Sequence, residues 1–428
     1  MKSDNNGNSR ERGRVIVWGI NYSPEKTGIA PYNKILCDHL SRLGFDVEMV
    51  TAFPYYPAWK KAPEDSGTLY RRTEIDGVPV HRCWHYVPSR VSTLKRMLHE
   101  ASFVATSFLK VLMLKKADLY MVVSPPLLLG SAAWLVSWIK RAPYFFHVQD
   151  LQPDAALGLG MIKEGVFIRM LFALERLAYE KAARVSGISG GMVTAFKSKG
   201  VPTDKVTYFP NPVQLNNGNT HAERGVFREE NGFSERDFLV VYSGNLGAKQ
   251  GIEIAVEAAA LLADTNVKFV ICGEGARRPH LENFIHLQKL SNVTLLPLLE
   301  QHAYHQMLTD ADVCLITQQR GSGRAFFPSK LLATLAFAKP VVTVADEDSE
   351  LCRALMENGF GVNVLPGEPR QLAEALRQLS DAPTKLLEYG QAGRRFVEQF
   401  DTEKVLNEFA HTVQDALAMR SDRNNPAA

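Results

Sequence analysis

Short β-branched runs alternate with amphipathic stretches of helical length from Val15 onward, which is the pattern of βα units around a parallel sheet. In the first half of the chain these runs lie at 15–20, 46–52, 119–123, 144–148 and 205–210. The apolar residues between the first two runs recur three and four positions apart, as on one face of a helix. This half is therefore predicted to be a parallel sheet covered by helices.

A second alternation follows a polar, turn-rich stretch. Its runs lie at 237–244, 267–273, 292–297, 312–317, 340–345 and 361–366. No short fixed period repeats, so a solenoid is excluded. We predict an α/β fold of two Rossmann-like, doubly wound domains that face a central cleft, with ligands beyond the carboxyl ends of the strands.

The same patterns predict the boundaries of the segments. A chain of 428 residues exceeds what one hydrophobic core usually supports, which agrees with two domains. The predicted segments are a disordered extension at 1–13, a first domain at 14–213, a linker at 214–236, a second domain at 237–400, a helix at 401–420 that could cross back to the first domain, and a fraying tail at 421–428.

Composition excludes several classes of protein. With 46% hydrophobic and 22% charged residues the chain can form ordinary cores, and a formal charge of +3 does not indicate a nucleic-acid partner. The five cysteines form no CxxC pair and no apolar secretion signal follows the start, which favours a cytoplasmic protein with reduced thiols. The apolar stretch at 126–139 is shorter than the roughly 20 residues that span a bilayer, so a buried helix is predicted there.

The segment 90–116 raises the question of a membrane surface. It carries six lysines or arginines, one acid and many large apolar residues, which suits a helix lying on anionic lipid. The aromatic loop at 54–61 could add an anchor. A helix in this domain must also bury an apolar face, so core packing and peripheral membrane contact both remain open.

Residues suited to binding an anion follow several strands of the second half. The segment 242–251 is a strand, a glycine-rich turn with Lys249 and a helix start, and 272–278 is similar. Further on, a basic glycine-rich loop leads to Pro328 at a predicted helix start, with Lys330 in the first turn. A lysine opposes the helix dipole there unless an anion such as a pyrophosphate is bound. The alternative is a solvated basic loop.

The first half offers an imidazole and carboxylates at the end of its strand at 144–148. Alternation directs His147 and Gln149 to one side, with Asp150 in the following loop facing the cleft. A histidine near neutral pKa beside a carboxylate suits acid–base or orienting work. The alternative is that Asp150 and Asp154 cap the next helix.

Two other kinds of site are disfavoured. The first strand leads into a loop with Gly28 but without GxGxxG, and the second ends in Thr51 and Ala52 rather than an acid, so a nicotinamide enzyme is disfavoured. The DxD strings at 310–312 and 346–348 are interpreted as incidental. No metal site is therefore predicted.

The motifs NYSPExTGI, PYYPxW, HVQD, FPNP, YSGNLGxKQG, CGEG and PSKLLxxLAxxKPVV occur in this order between Arg14 and Gln414. In this order they resemble glycosyltransferase family 4, a GT-B group, and in particular its colanic-acid-type branch of exopolysaccharide enzymes, named as fucosyltransferases. The resemblance implies a retaining, metal-independent hexosyltransferase without a cofactor, whose second domain binds a nucleotide sugar, with GDP-fucose favoured over UDP-sugars. It also implies a lipid-diphosphate-linked saccharide acceptor and a place at the cytoplasmic face of a bacterial plasma membrane.

The motifs and the resemblance together assign site residues. His147 corresponds to the family histidine near the sugar carbon under attack, and Asp150 could help to deprotonate the acceptor, so these two are the predicted catalytic residues. The predicted acceptor-binding residues are Asn21, Tyr22 and Gln149. The predicted donor-binding residues are Gly28, Gly244, Asn245, Lys249, Gln250, Glu274, Arg320, Arg324, Pro328, Ser329 and Lys330.

The chain departs from the family's pattern at four positions. Ala325 and Ala333 stand where the family has paired glutamates, the second of which accepts hydrogen bonds from the nucleotide ribose. Asn245 and Gln250 stand where many members have arginine and lysine. The cations that we expect to compensate are Lys249, Arg320, Arg324 and Lys330. Two other functions stay open: a sugar-nucleotide epimerase and a non-catalytic GT-B subunit that binds nucleotide.

Overall fold

The computed structural model describes residues 13–90, 92–158, 165–215, 223–321 and 329–424. Contacts divide the chain into two units, which we call the first and the second unit. The first unit runs to Pro210 and resumes at Val405, and the second comprises Asn211–Lys404. Of the predicted extension at 1–13, all but the last residue lies outside the described residues.

A mostly parallel sheet forms the centre of the first unit. Its strands are β1 (Arg14–Trp18), β2 (Asp46–Ala52), β3 (Tyr70–Ile75), β4 (Val78–Cys83), β5 (Leu119–Ser124), β6 (Tyr144–Val148), β7 (Arg184–Gly187) and β8 (Val206–Tyr208). They are arranged in the order β3-β4-β2-β1-β5-β6-β7-β8, and only the β3–β4 pair among these neighbours is antiparallel. The side chains of β5 and β6 are buried along the whole strand, as expected where helices cover both faces.

Helices cover both faces of this sheet. Those of the first part of the chain are α1 (Ala30–Arg42), α2 (Thr93–Met113), α3 (Leu128–Lys140), α4 (Gln152–Gly158), α5 (Val166–Lys181) and α6 (Gly190–Ser198). The apolar residues of α2, α3, α5 and α6 form one core on one face, and those of α1 help to form another core on the opposite face.

The second unit repeats this architecture with a six-stranded, fully parallel sheet in the order β11-β10-β9-β12-β13-β14. Its strands are β9 (Phe238–Ser243), β10 (Val267–Cys272), β11 (Val293–Leu296), β12 (Val313–Thr317), β13 (Val341–Val344) and β14 (Gly361–Val364). Its helices are α7 (Val226–Glu230), α8 (Glu253–Leu261), α9 (Arg278–Gln288), α10 (Gln301–Asp310), α11 (Ser329–Ala336), α12 (Glu350–Asn358), α13 (Pro369–Ser380) and α14 (Pro383–Val397). The two parallel, helix-covered sheets confirm the predicted α/β class of two Rossmann-like domains.

The last helix, α15 (Thr402–Asn424), leaves the second unit and joins the core of the first. Phe409 of this helix stacks on Phe209, with ring centroids 3.8 Å apart. The helix extends beyond the end expected from the sequence at 420, and residues 425–428 of the expected tail lie outside the described residues.

The structure corrects the predicted linker at 214–236. From 223 onward this segment packs on the second unit, because α7 buries Phe227 in its core. The guanidinium of Arg228 donates to Asp312 Oδ2 at 2.7 Å and to the Asp310 carbonyl at 3.1 Å. The helix is short and mostly polar, so its sequence resembles that of a connection.

The apolar runs predicted in the first half do not include strands β3, β4 and β7. Every side chain of β3 is at least partly exposed, and the strand therefore has no apolar run by which to find it. β4 contains Pro79, which counts against a strand, and β7 has only four residues.

The helix α3 differs from the buried helix predicted at 126–139. It buries Leu129, Ala133 and Val136 but exposes Trp138, because one helical face meets the sheet and the other meets solvent. Among the helices that the structure describes, none is long and apolar enough to cross a membrane.

Candidate functional site

Two glycine turns pack against each other at the carboxyl ends of β9 and β10. The Gly244 N–H donates to the Cys272 carbonyl at 3.0 Å. A Cβ on Gly273 would lie 1.9 Å from the Gly244 carbonyl oxygen, and one on Gly275 would lie 2.4 Å from the Leu246 carbonyl oxygen. Only glycine fits at Gly273 and Gly275, since backbone atoms occupy the space of a side chain.

Lys330 lies beside the first of these turns. It is the second residue of α11, and its Nζ is 3.7 Å from the centroid of the Tyr242 ring. A Cβ on Gly244 would lie 3.5 Å from the same Nζ, so the ammonium group and the glycine turn adjoin. Tyr242 also holds the turn directly, because its hydroxyl donates to the Asn245 carbonyl at 2.9 Å.

Lys330 is half-buried, and within the described ranges no carboxylate forms an ion pair with its ammonium group. Burial lowers the pKa of Lys330 to about 7. The aromatic ring attracts the cation but does not neutralise its charge. A cation held without a counterion, next to the free amides of a helix start, is suited to binding a phosphate or diphosphate.

Other predicted donor residues surround this site at different distances. Asn245 is exposed, and the Lys249 carbonyl accepts from the Gln319 N–H at 2.9 Å, which joins this turn to the loop after β12. Gln250 is half-buried, with Oε1 enclosed and without a hydrogen-bond partner in the described part of the chain.

Glu274 and Arg320 make contacts of their own. Glu274 is exposed and forms an ion pair with Arg278, with a nitrogen-to-oxygen distance of 3.3 Å. The exposed Arg320 donates to the Pro366 carbonyl at 2.6 Å, after β14. Neither contact involves Lys330.

Part of the predicted site lies outside the described residues. This applies to Arg324, Ala325 and Pro328 and to the side chain of Ser329, although the backbone of Ser329 begins α11. Ala333 is described and half-buried, one turn after Lys330 on the same helix.

Sequence reasoning missed Tyr242 and Arg278. The guanidinium of Arg278 donates to the carbonyls of Gly273 at 2.8 Å and Leu296 at 2.9 Å and so holds the second glycine turn. A cation at the start of a helix singled out Lys330, and the same signal could have identified Arg278 at the start of α9. Tyr242, inside a buried strand, carries no such signal.

In the first unit His147 is buried, and both of its ring nitrogens have a hydrogen-bond partner. The Gln149 side-chain amide lies 2.8 Å from Nε2, and the Ser186 hydroxyl lies 3.0 Å from Nδ1. The ring packs against Phe209, and burial lowers the pKa of His147 to about 3. His147 and Gln149 lie on the same side, as alternation predicted, but burial of the ring moves its pKa well below the near-neutral value that we expected.

The predicted acceptor residues of the first unit are mostly internal. Tyr22 is 1% exposed and packs in the core, and its role in binding an acceptor stays a prediction. Gln149 is also buried, and its side chain holds His147. Asn21 donates to Glu25 Oε2 at 2.8 Å, and this carboxylate also accepts from two backbone amides of the aromatic loop. Asn21 thus helps to fix the loop at 54–61.

The remaining predicted residues of the first unit, Gly28, Asp150 and Asp154, have different surroundings. Gly28 has a left-handed φ of +67° just before α1, where a side chain would be strained. Asp150 is half-buried after β6. Asp154, in α4, forms an ion pair with Lys199, the residue directly after α6, with a nitrogen-to-oxygen distance of 2.5 Å.

The two DxD strings have carboxylates with protein partners. Asp310 accepts from the backbone amides of Gly225 and Arg228, and Asp312 accepts from the Arg228 guanidinium. Asp346 accepts from the Gly321 N–H at 2.6 Å. In the part of the chain that the structure describes, no three metal-ligating side chains are grouped together.

Comparisons with known proteins show which family the chain belongs to. The family described as "Glycosyl transferase 4-like domain" matches residues 27–212, and "Glycosyl transferases group 1" matches residues 223–396. The chain is 33% identical over 412 residues to WcaI of Escherichia coli K12, which is named as a glycosyl transferase of colanic acid biosynthesis, and the match covers 94% of this chain and 100% of WcaI. The chain is a family 4 glycosyltransferase.

Solved structures agree with this assignment at the level of the fold. The glycosyltransferase matches sucrose-phosphate synthase from Thermosynechococcus elongatus with a TM-score of 0.74 at 17% identity, over 95% of this chain and 99% of that one. It matches HepE of Anabaena, solved with UDP-glucose, with a TM-score of 0.68 at 17% identity, over 94% of this chain and 100% of HepE. The predicted GT-B fold is confirmed.

Proposed function

We propose that this glycosyltransferase transfers a hexose or deoxyhexose, with retention at the anomeric carbon, from a nucleotide sugar to a lipid-linked saccharide of exopolysaccharide biosynthesis. The name of WcaI supports the exopolysaccharide assignment, and the complexes of HepE with UDP and UDP-glucose support a nucleotide-sugar donor. Fucose from GDP-fucose is the donor that we propose to test first. The enzyme works without a metal or cofactor, at the inner face of the bacterial plasma membrane.

The observation that carries this proposal is the ammonium group of the half-buried Lys330 beside the Gly244 turn. As the bond to the sugar breaks, negative charge moves onto the departing diphosphate, and the anomeric carbon becomes cationic. Fixed amides and a cation stabilise this charge without reorganising during the reaction, which makes electrostatic stabilisation the main catalytic contribution. Lys330 is therefore the residue on which the rate should depend most.

The residues of the first unit act on the other substrate. The acceptor hydroxyl loses its proton to the donor phosphate or to Asp150, which is half-buried at the end of β6. His147, with a pKa near 3, is a weak proton acceptor near pH 7, so we assign it to orienting groups through the hydrogen bond to Gln149. This assigns His147 a positioning role.

A panel of nucleotide sugars, assayed with and without a bacterial membrane extract, tests the proposal. Release of nucleoside diphosphate that depends on the extract is the expected result. Conversion of the donor to an isomer without the extract would instead indicate an epimerase. A protein that binds nucleotide but changes no donor would be a non-catalytic subunit, and either of these results contradicts the proposal.

A further inference from the structure

The helix α2 has two apolar faces. One face is buried against the sheet and includes Phe103 and Val111. At 3.6 residues per turn, a second stripe lies on the other side of the helix. The large side chains of this stripe are exposed by 76% at Leu94, 55% at Leu98, 50% at Leu109 and 69% at Met113. Within the described residues, nothing covers this stripe.

The neighbouring helices extend the exposed apolar surface. α2 packs on α3, and α3 packs on α5, so all three cover the same face of the sheet. Trp138 of α3 is 74% exposed and Val166 of α5 is 81% exposed. We call this surface the three-helix face, whose apolar residues are Leu94, Leu98, Leu109, Met113, Leu135, Trp138, Ile139, Val166, Phe167 and Met170.

Cations accompany these apolar residues. The exposed basic residues on or directly after the three helices are Lys95, Arg96, Lys115, Lys116, Arg141, Arg169, Arg176 and Lys181. The helices contain three carboxylates, of which Glu175 is buried with Lys199 and Glu180 pairs with Arg176. The third, Glu100, lies near Arg96. The three-helix face therefore has a large excess of positive charge.

We propose that the three-helix face docks the enzyme on an anionic lipid bilayer. Large aliphatic side chains and a tryptophan, set among lysines and arginines, match the apolar and anionic layers of such a surface. A symmetric dimer through this face would bring the two sets of cations together, which costs binding energy. The proposal deepens the proposed function by naming the surface from which a lipid-linked acceptor is reached, and it extends the contact from 90–116 to α3 and α5.

Vesicle binding by the full chain, without any sugar donor, tests this proposal. We expect the protein to sediment with vesicles of phosphatidylcholine and phosphatidylglycerol and to bind pure phosphatidylcholine at least roughly tenfold more weakly. Leu98→Glu with Leu109→Glu, and separately Trp138→Glu, should each lower binding to the anionic vesicles by roughly tenfold or more. Leu387→Glu is the matched control, since Leu387 is 63% exposed on α14 of the second unit and should bind like wild type.

Charge and depth can be measured separately. Replacing Lys115 and Lys116 by glutamate should reduce the preference for anionic vesicles, whereas Lys404→Glu, at an exposed position on α15, should not. Tryptophan emission should shift to shorter wavelength on the vesicles, and Trp138→Phe should remove most of this shift. Circular dichroism melting checks that every variant is folded.

Three results would overturn the proposal. These are a wild-type protein that does not bind anionic vesicles, folded variants of the three-helix face that bind as well as wild type, and an oligomer in solution that these variants convert to monomer. Vesicle binding by a protein that transfers no sugar would leave the docking face standing and refute the proposed function. Sugar transfer by a protein that does not bind vesicles would support the proposed function and refute the docking face.

Discussion

The two units are built alike, but their candidate sites differ in what they leave unsatisfied. In the second unit the half-buried Lys330 lies beside glycine turns without an anionic partner among the described residues. In the first unit the ring of His147 is bonded to Gln149 and Ser186, and Asn21 is bonded to Glu25. Among the described residues, the site of the second unit combines backbone groups with a cation that has no carboxylate partner, an arrangement suited to binding an anion. A site whose side chains satisfy one another has to exchange those contacts for contacts with a substrate.

Breaking the contact between the two glycine turns should have the largest effect. In Gly273→Ala the new Cβ meets the Gly244 carbonyl, so we expect unfolding to become easier by about 3 kcal/mol or more, together with loss of donor binding. Chemical denaturation and nucleotide titration measure the two effects. Gly232→Ala is the control, because its φ is also positive but no atom lies within 4 Å of the added Cβ, and it should cost about 1 kcal/mol. Equal costs for the two variants would show that the turns do not need close packing.

Removing the ammonium group of Lys330 tests the catalytic role of the second unit's site, and the substitution should leave the fold intact. Lys330→Ala should lower kcat by about 100-fold or more, because under the proposed role the departing diphosphate loses a stabilising cation, while the melting temperature stays close to that of wild type. Lys268→Ala, at a half-buried lysine on β10, is the matched control and should retain activity. Near wild-type turnover of a folded Lys330→Ala would refute the assigned role.

The burial of His147 in the first unit can be tested through the pH dependence of stability. The pKa of His147 is about 3 in the folded protein, against about 6.5 when unfolded, so the unfolded chain binds more protons between these values and stability falls as the pH falls. Lowering the pH from 7 to 5 should therefore cost wild type about 2 kcal/mol more than it costs His147→Phe. Urea denaturation at the two pH values provides the measurement. The same pH dependence in both proteins would mean that His147 titrates normally.

The smallest expected effect is an improvement in donor binding on substitution of Ala333. Ala333 follows Lys330 by one turn of α11, so a glutamate there can reach a ribose bound alongside the diphosphate. Ala333→Glu should lower the KM for the donor by about threefold to tenfold, since a hydrogen bond to a charged acceptor is stronger than one to a neutral group. Ala333→Gln should give a smaller improvement. An unchanged KM in both variants would place the ribose elsewhere.

The sequence predicted the site of the second unit better than that of the first for a physical reason. Glycine spacing and a lysine at a helix start are local signals, and they led to Gly244 and Lys330, which the structure brings together. The environment of Tyr22 or His147 depends on which distant strands and helices cover them, and no local pattern encodes that burial. The alternation of apolar runs and helical stretches likewise predicted the central strands. It did not predict the edge strand β3, because every side chain of that strand is at least partly exposed and it has no apolar run.

The direct test of the account is calorimetric titration of GDP and UDP into the wild-type enzyme and Lys330→Ala between pH 6 and 9. The pKa of Lys330 near 7 means that, above this pH, the free protein must take up a proton to bind the diphosphate. We predict that wild-type affinity for the preferred nucleotide falls with rising pH, by up to about tenfold per pH unit, with proton uptake that Lys330→Ala abolishes. An affinity that is independent of pH and equal in the two proteins would contradict the claim that Lys330 binds the departing diphosphate.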